Sequence, residues 1–141
     1  MLPLVIDTNV LVAACRKDGG SSRAVVKRCL TGQYQPLIGT ALFLEYEDVM
    51  ARPQLFAGSR LTEAERQAVF RGFLAVCRWT EVYFAWRPNL PDEGDNHLME
   101  LAVAGRARAV VTRNVKDLAV GELRFPAVRI LTPEQCLEAF S

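Results

Sequence analysis

Asp7, Glu45, Asp95 and Asp117 are the residues whose type and placement point most directly to chemistry. Several carboxylates gathered in one small site repel one another, which raises some of their pKa values unless a cation compensates. Mg²⁺ or Mn²⁺ suits such hard oxygen donors. It keeps several waters and can bind a substrate phosphate, and one or two such ions can activate a water and stabilise the leaving oxygen in phosphodiester hydrolysis. That chemistry needs no histidine. The chain has a single one, His97, and four scattered cysteines, so most zinc sites are excluded and any Ser-His-Asp or Cys-His reaction would hang on one residue.

Each acid also has a plain structural role to set against this one. Asp7-Thr8-Asn9 can cap a helix, as all three side-chain types do, and capping and metal binding remain equal readings of Asp7 from the sequence alone. Asp95 can be an N-cap in the same way. Glu45 lies beside Leu42, Tyr46 and Val49, near the apolar side of its helix rather than opposite it, which favours the functional role slightly. Asp117 follows a strand, where an aspartate is commonly a turn residue. His97 reads as a surface or interface residue, and Trp79 and Trp86 as core or dimer contacts rather than base-stacking platforms.

The elements that must position these acids alternate between strand and helix. Leu4-Val5-Ile6 is a short apolar run ending at Asp7, and Asn9 to Cys15 reads as the helix it feeds. Lys17 to Ser22 breaks the chain, and Ser22 is expected to cap a helix to Leu30 with Val25, Val26, Cys29 and Leu30 at helical spacing. Pro36 to Gly39 is the second expected strand. Thr40 then caps a helix to Arg52, stopped by Pro53, with Glu45 in its first turns. Thr62-Glu63-Ala64-Glu65 is a capping signature that opens a helix to about Arg78, and Thr80 to Trp86 is an expected strand. Asp95 starts a helix in which Leu98, Leu101, Ala102 and Gly105 share a face. Ala109 to Thr112 and Val128 to Leu131 are compact buried strands, and Thr132-Pro133-Glu134-Gln135 caps a final helix. The alternation predicts an α/β fold with a mostly parallel sheet covered on both faces. In such sheets the loops leaving the carboxyl ends of the strands share a crevice, so Asp7, Glu45, Asp95, Asn114 and Asp117 can converge although distant in sequence.

At 141 residues, one domain spanning 1–141 is the expectation. Half the residues are hydrophobic and 23% charged, an ordinary globular balance. No stretch approaches the roughly 20 apolar residues that a membrane span needs. The N-terminal segment has neither the basic nor the apolar region of a secretory signal, which points to the cytoplasm, where Cys15, Cys29, Cys77 and Cys136 are expected to stay reduced. A net charge of +1 excludes a general attraction to nucleic acid, so contacts with it must be local. Arg16, Lys17, Arg23, Lys27 and Arg28 form a basic stretch against one acid, Asp18, that reads equally as a solvated helix face or a phosphate-contacting one.

Asp7-Thr-Asn-Val-Leu-Val12, Leu44-Glu45-Tyr46, Asp95-Asn-His-Leu-Met-Glu-Leu-Ala102 and Val111-Thr-Arg-Asn-Val-Lys-Asp-Leu118 resemble, in order and spacing, the motifs of PIN domains. The resemblance spans nearly the whole chain and is nearest the VapC-like toxin components of bacterial toxin-antitoxin systems. It implies a three-layer α/β/α sandwich around a parallel sheet, Mg²⁺ or Mn²⁺ at the acidic site, and endoribonuclease cleavage of RNA restrained by a cognate antitoxin. Homodimers are usual in that group. Carried over by position, Asp7, Glu45 and Asp95 match the first three metal-binding acids, and Thr112 matches a hydroxyl residue that helps to hold them, with Asn9 beside it in support. Many relatives have Asp where this chain has Asn114, so Asp117 is the remaining carboxylate for the fourth position, and Asn114 would bind a second ion less well. Arg23, Lys27, Arg28 and Arg113 are the candidate RNA contacts. The competing reading within the family is a catalytically weak or inactive module that binds RNA or protein. A haloacid-dehalogenase-like phosphatase fits poorly, because Asp7-Thr8-Asn9 lacks the second Asp expected two residues on.

Overall fold

The computed structural model describes residues 2–16, 19–82, 96–115 and 128–141, the side chain of Asn96 excepted. Among these residues five strands form one sheet in the order β3-β2-β1-β4-β5, in which β1 is Leu2–Ile6, β2 Tyr34–Ile38, β3 Arg78–Trp79, β4 Ala109–Val111 and β5 Arg129–Leu131. Every pairing is parallel, with Leu4 beside both Pro36 and Ala109, and Ile6 beside Val111. Leu4, Val5, Ile6 and all of β4 are buried, as expected of central strands covered by helices on both faces.

The helices are α1 (Thr8–Ala14), α2 (Gly20–Leu30), α3 (Thr40–Met50), α4 (Glu63–Val76), α5 (Asn96–Ala104) and α6 (Pro133–Ala139), with a short 3₁₀ turn at Pro53–Phe56. The two expected capping boxes are both formed, by Thr62 with Glu65 and by Thr132 with Gln135. Together sheet and helices give the expected α/β/α architecture around a parallel sheet. None of the described helices is long and apolar enough to cross a membrane.

Two expected boundaries move. Helix α2 begins at Gly20, ahead of Ser22, which is buried inside it. Gly20 takes φ +47°, a conformation that costs little only for glycine, so the chain turns into the helix there. The third strand lies at Arg78–Trp79 rather than from Thr80 onward, because α4 ends at Val76 and the chain pairs at once with Leu37 and Ile38. Residues 83–86 of the expected strand lie outside the described residues. Trp79 is half exposed, its indole N–H donating to Glu81, so it is not a core residue. All four cysteines are free, as expected.

Candidate active site

Strand order decides where a site can form. The chain leaves β1 towards β2 and β3 on one side, while β4 and β5 lie on the other, so the β1/β4 junction is the switch point at which open parallel sheets gather functional groups beyond their carboxyl ends. Asp7 follows β1 and Thr112 follows β4 at that junction. The ladder continues past the strand ends through Asp7 N–H to the Val111 carbonyl at 2.9 Å and Thr112 N–H to the Leu131 carbonyl at 2.9 Å.

Asp7 is 6% exposed and does cap α1, its Oδ1 accepting from the Thr8 N–H at 2.7 Å. Capping uses only one side of the carboxylate. Oδ2 accepts from the Thr112 hydroxyl at 2.7 Å and from the Asn9 amide at 3.2 Å. The fully buried Thr112 oxygen in turn accepts from Asn9 at 3.3 Å and from the Asn114 N–H at 3.0 Å. Asn9 Oδ1 accepts from the Arg113 N–H at 3.1 Å. The network ties the start of α1 to the turn after β4 and leaves Asp7 little freedom. Burial is the largest influence on the Asp7 carboxyl and pushes its pKa above the ordinary 3.8, hydrogen bonds from Thr112 and Thr8 pull it back, and the negative charge of Glu45 adds to the rise.

Glu45 reaches the same space from α3. Its neighbour Tyr46 is completely buried and donates its hydroxyl to the carbonyl of Ile6, the residue before Asp7, which pins α3 over the end of β1. Glu45 Oε1 accepts from the Thr8 hydroxyl at 3.0 Å, and Oε2 pairs with His97 Nε2 of α5 at 2.6 Å. The hydrogen bond from His97 is the largest influence on Glu45 and holds its carboxyl below the ordinary value despite partial burial. His97 is therefore no mere surface residue. Its other ring nitrogen, Nδ1, is buried and has no hydrogen-bond partner among the described residues.

Asp95 and Asp117 lie outside the described residues. Among those described, no three His, Cys, Asp or Glu side chains form a metal-binding group. No Lys or Arg pairs with Asp7 or Glu45 among them either. A desolvated carboxylate beside a second one, with His97 on Glu45 and no Lys or Arg among the described residues on either, suits a hard divalent cation, and Asp7 and Glu45 supply the oxygen donors for it.

The two flanks of this centre differ. Towards β2 and α5 lies a cavity of about 280 Å³, walled by Thr40, Leu42, Glu81, His97, Glu100 and Leu101 among others. Towards α1 and the turn after β4 lies a groove of about 380 Å³, with Arg16, Arg52 and Arg113 around Asn9 and Asn114. The α2 cations point elsewhere. Arg23 donates to the carbonyls of Ala14 and Arg16, closing the end of α1. Arg28 bonds the Tyr34 hydroxyl and the Phe140 carbonyl near the start of β2, at the opposite end of the sheet, and Lys27 lines an apolar cleft with Cys15 and Val26. Sequence reasoning missed Thr8, His97 and Arg52. Arg52 was readable, since it falls seven residues after Glu45, on the same helical face as Val49, which also lines the groove.

No curated protein matches the chain. One solved structure of the same fold is VapBC2 from Rickettsia felis bound to a DNA fragment from its promoter, with a TM-score of 0.58 at 15% identity, covering 93% of this chain and 98% of that one. The family model of the PIN domain matches residues 3–116, a span that holds Asp7, Glu45, His97 and Thr112, and the chain belongs to the PIN domain family.

Proposed function

We propose that residues 1–141 act as one nuclease domain, a Mg²⁺- or Mn²⁺-dependent endoribonuclease that hydrolyses RNA phosphodiester bonds. The observation that carries this reading is the pairing of buried Asp7 with Glu45 at the β1/β4 switch point, reached from two different helices and backed by the Thr112 and Asn9 network. Asp7 and Glu45 would hold the ion from the described side, with Asp95 completing the set and Asp117 or Asn114 positioning water or a second ion. A bound divalent ion would supply the activated water and offset charge on the leaving oxygen.

The residues of the chain do the positioning. Thr112 and Asn9 fix the Asp7 carboxylate in one orientation, and Thr8 bonds both acids, donating its N–H to Asp7 and its hydroxyl to Glu45. His97 holds Glu45 ionised and aimed. The fold shared with VapBC2 and the resemblance of the motifs to VapC-like toxins support a toxin role with a cognate antitoxin as partner. The cytoplasm as its location and a homodimer as its working form are carried in this proposal from the sequence and the family resemblance alone.

The test is incubation of the purified protein with a mixed RNA pool in Mg²⁺, Mn²⁺ or EDTA beside Asp7→Asn. Cleavage by the unmodified protein alone, lost in EDTA, is expected. Intact RNA in every metal, from protein shown to be folded, would sink the nuclease reading and leave the non-catalytic binding module.

A further inference from the structure

We infer that the groove between α1, the end of α3 and the turn after β4 binds the phosphodiester backbone of single-stranded RNA, with Arg16, Arg52 and Arg113 as its phosphate contacts. The inference rests on the nuclease reading for the identity of the ligand, and on the groove itself for the place. Three arginines, of which Arg113 also lies near enough to Glu134 to lower the pKa of that carboxyl, line a space of about 380 Å³. Asn9 and Asn114 line it too, and these two residues belong to the network around Asp7. A strand lying in the groove therefore runs directly into the carboxylate centre. Guanidinium forks suit phosphate oxygens better than a lysine point charge does, because they donate in pairs with fixed geometry.

Each arginine is held at the groove by a contact that leaves it suited to a new partner. Arg16 donates Nε to the Leu55 carbonyl at 2.8 Å, which fixes one edge of the guanidinium. Arg52 pairs with Asp48 one turn back on the helix, but both side chains are at least half exposed, so that pair is weak and a phosphate can replace it. Arg113 is placed by its backbone N–H on Asn9. Val12, Val49 and Leu55 give the groove an apolar floor for sugar and base faces, and the described residues that line it, arginines and amides over that floor, suit the backbone rather than stacked bases. The cavity on the other flank has Glu81 and Glu100 in its wall where the groove has three arginines. Of the basic residues singled out in the sequence, Arg113 and Arg16, the first of the basic stretch, line the groove, and Arg23, Lys27 and Arg28 do not.

Binding of a short fluorescein-labelled single-stranded RNA of mixed sequence, followed by anisotropy in EDTA across a salt series, tests this. Arg16→Gln/Arg52→Gln/Arg113→Gln is compared with Arg60→Gln/Arg71→Gln/Arg106→Gln, which removes as many exposed charges elsewhere. The groove variant is expected to bind at least ~10-fold more weakly at low salt, with its log-log salt slope shallower by about 2, and the control to bind like the unmodified protein. Equal loss in both variants, no loss in the groove variant, or no binding by the unmodified protein overturns the proposal. Should the triple variant unfold, Arg52→Gln alone is expected to reduce the slope by about 0.7, and an unchanged slope would overturn the proposal equally. Groove-dependent binding without cleavage in Mn²⁺ would uphold the groove and remove the nuclease reading, whereas cleavage with groove-independent binding would do the reverse.

Discussion

The two flanks of the carboxylate centre are built from the same helix, α3, yet carry opposite chemistry. Near its start α3 contributes Thr40 and Leu42 to a cavity that Glu81, Glu100 and His97 also line. Near its end it contributes Val49 to a groove, and Arg52 just beyond it joins Arg16 and Arg113 there. Glu45 sits between. One flank arranges and charges the acids, and the other attracts what they act on, so a helix that spans both sets the distance from phosphate contact to reacting centre. This division separates the effects of mutation: changes on the acidic side should act on turnover and metal affinity, and changes on the basic side on substrate affinity and its salt dependence.

The largest break expected is at the centre itself. Asp7→Asn keeps a capping side chain at the start of α1 but removes the charge, and should lower RNA cleavage on the order of a hundredfold or more in a single-turnover assay. Near-normal cleavage would separate the acids from the chemistry. His97→Ala comes next. It removes the strongest influence on Glu45, and loss of a partner that orients a metal-binding group costs about 10–100-fold in affinity or activity. The effect should appear as a weaker Mn²⁺ dissociation constant in calorimetry and a lower kcat, with KM for RNA little changed, and His97→Gln should recover part of it. A rise in KM alone would place His97 on the substrate side and erase the distinction between the flanks.

Much of the frame was legible in the sequence because it is written in local signals. The apolar runs at Leu4 to Ile6 and Ala109 to Val111, and the boxes at Thr62 and Thr132, each depend on a few neighbouring residues. The start of α2 was missed because Ser22 has the right chemistry for a cap, while the turn is made by a glycine pair whose φ no composition rule reveals. Asp7 and Glu45 could be picked out as candidates, and Thr112 and Asn9 as supports through the motif resemblance, but not His97 or Thr8 as partners of Glu45. His97 finds Glu45 52 residues away, and Thr112 finds Asp7 across 105, through the adjacency of β1 and β4 that only sheet order creates. The α2 cations failed as a guide for a related reason. Charge density along a helix does not say that Arg23 and Arg28 are spent on carbonyls of the fold.

Thr112→Val should cost less activity than either change above and more stability. It keeps the shape but removes the hydroxyl that donates to Asp7 and accepts from Asn9 and Asn114, leaving polar groups in a buried place without a partner. A loss of about 1–3 kcal/mol in urea unfolding is expected. An unchanged midpoint would mean that the network does not hold the two sides of the centre together.

The smallest effect is one of pH, and it asks whether the acidic side truly lacks a compensating cation. In metal-free protein burial raises the Asp7 pKa above 3.8, so between 3.8 and that raised value the folded chain binds more protons than the unfolded one. The resulting contribution to stability is present below 3.8 and is lost as pH rises through the folded value. Glu45 runs the other way. Its pKa is lowered from 4.5, so its contribution is present above 4.5 and lost as pH falls through the lowered value. Asp7→Asn removes only the first of these, and the Tm of the variant should therefore rise relative to the unmodified protein as pH increases above 3.8. Mg²⁺ should then raise the Tm of the unmodified protein more than that of the variant, because a ligand of the folded state stabilises it in proportion to its occupancy. A Tm difference that stays constant with pH would show Asp7 titrating alike in folded and unfolded chains, and the carboxylate would already have its counter-charge from the protein.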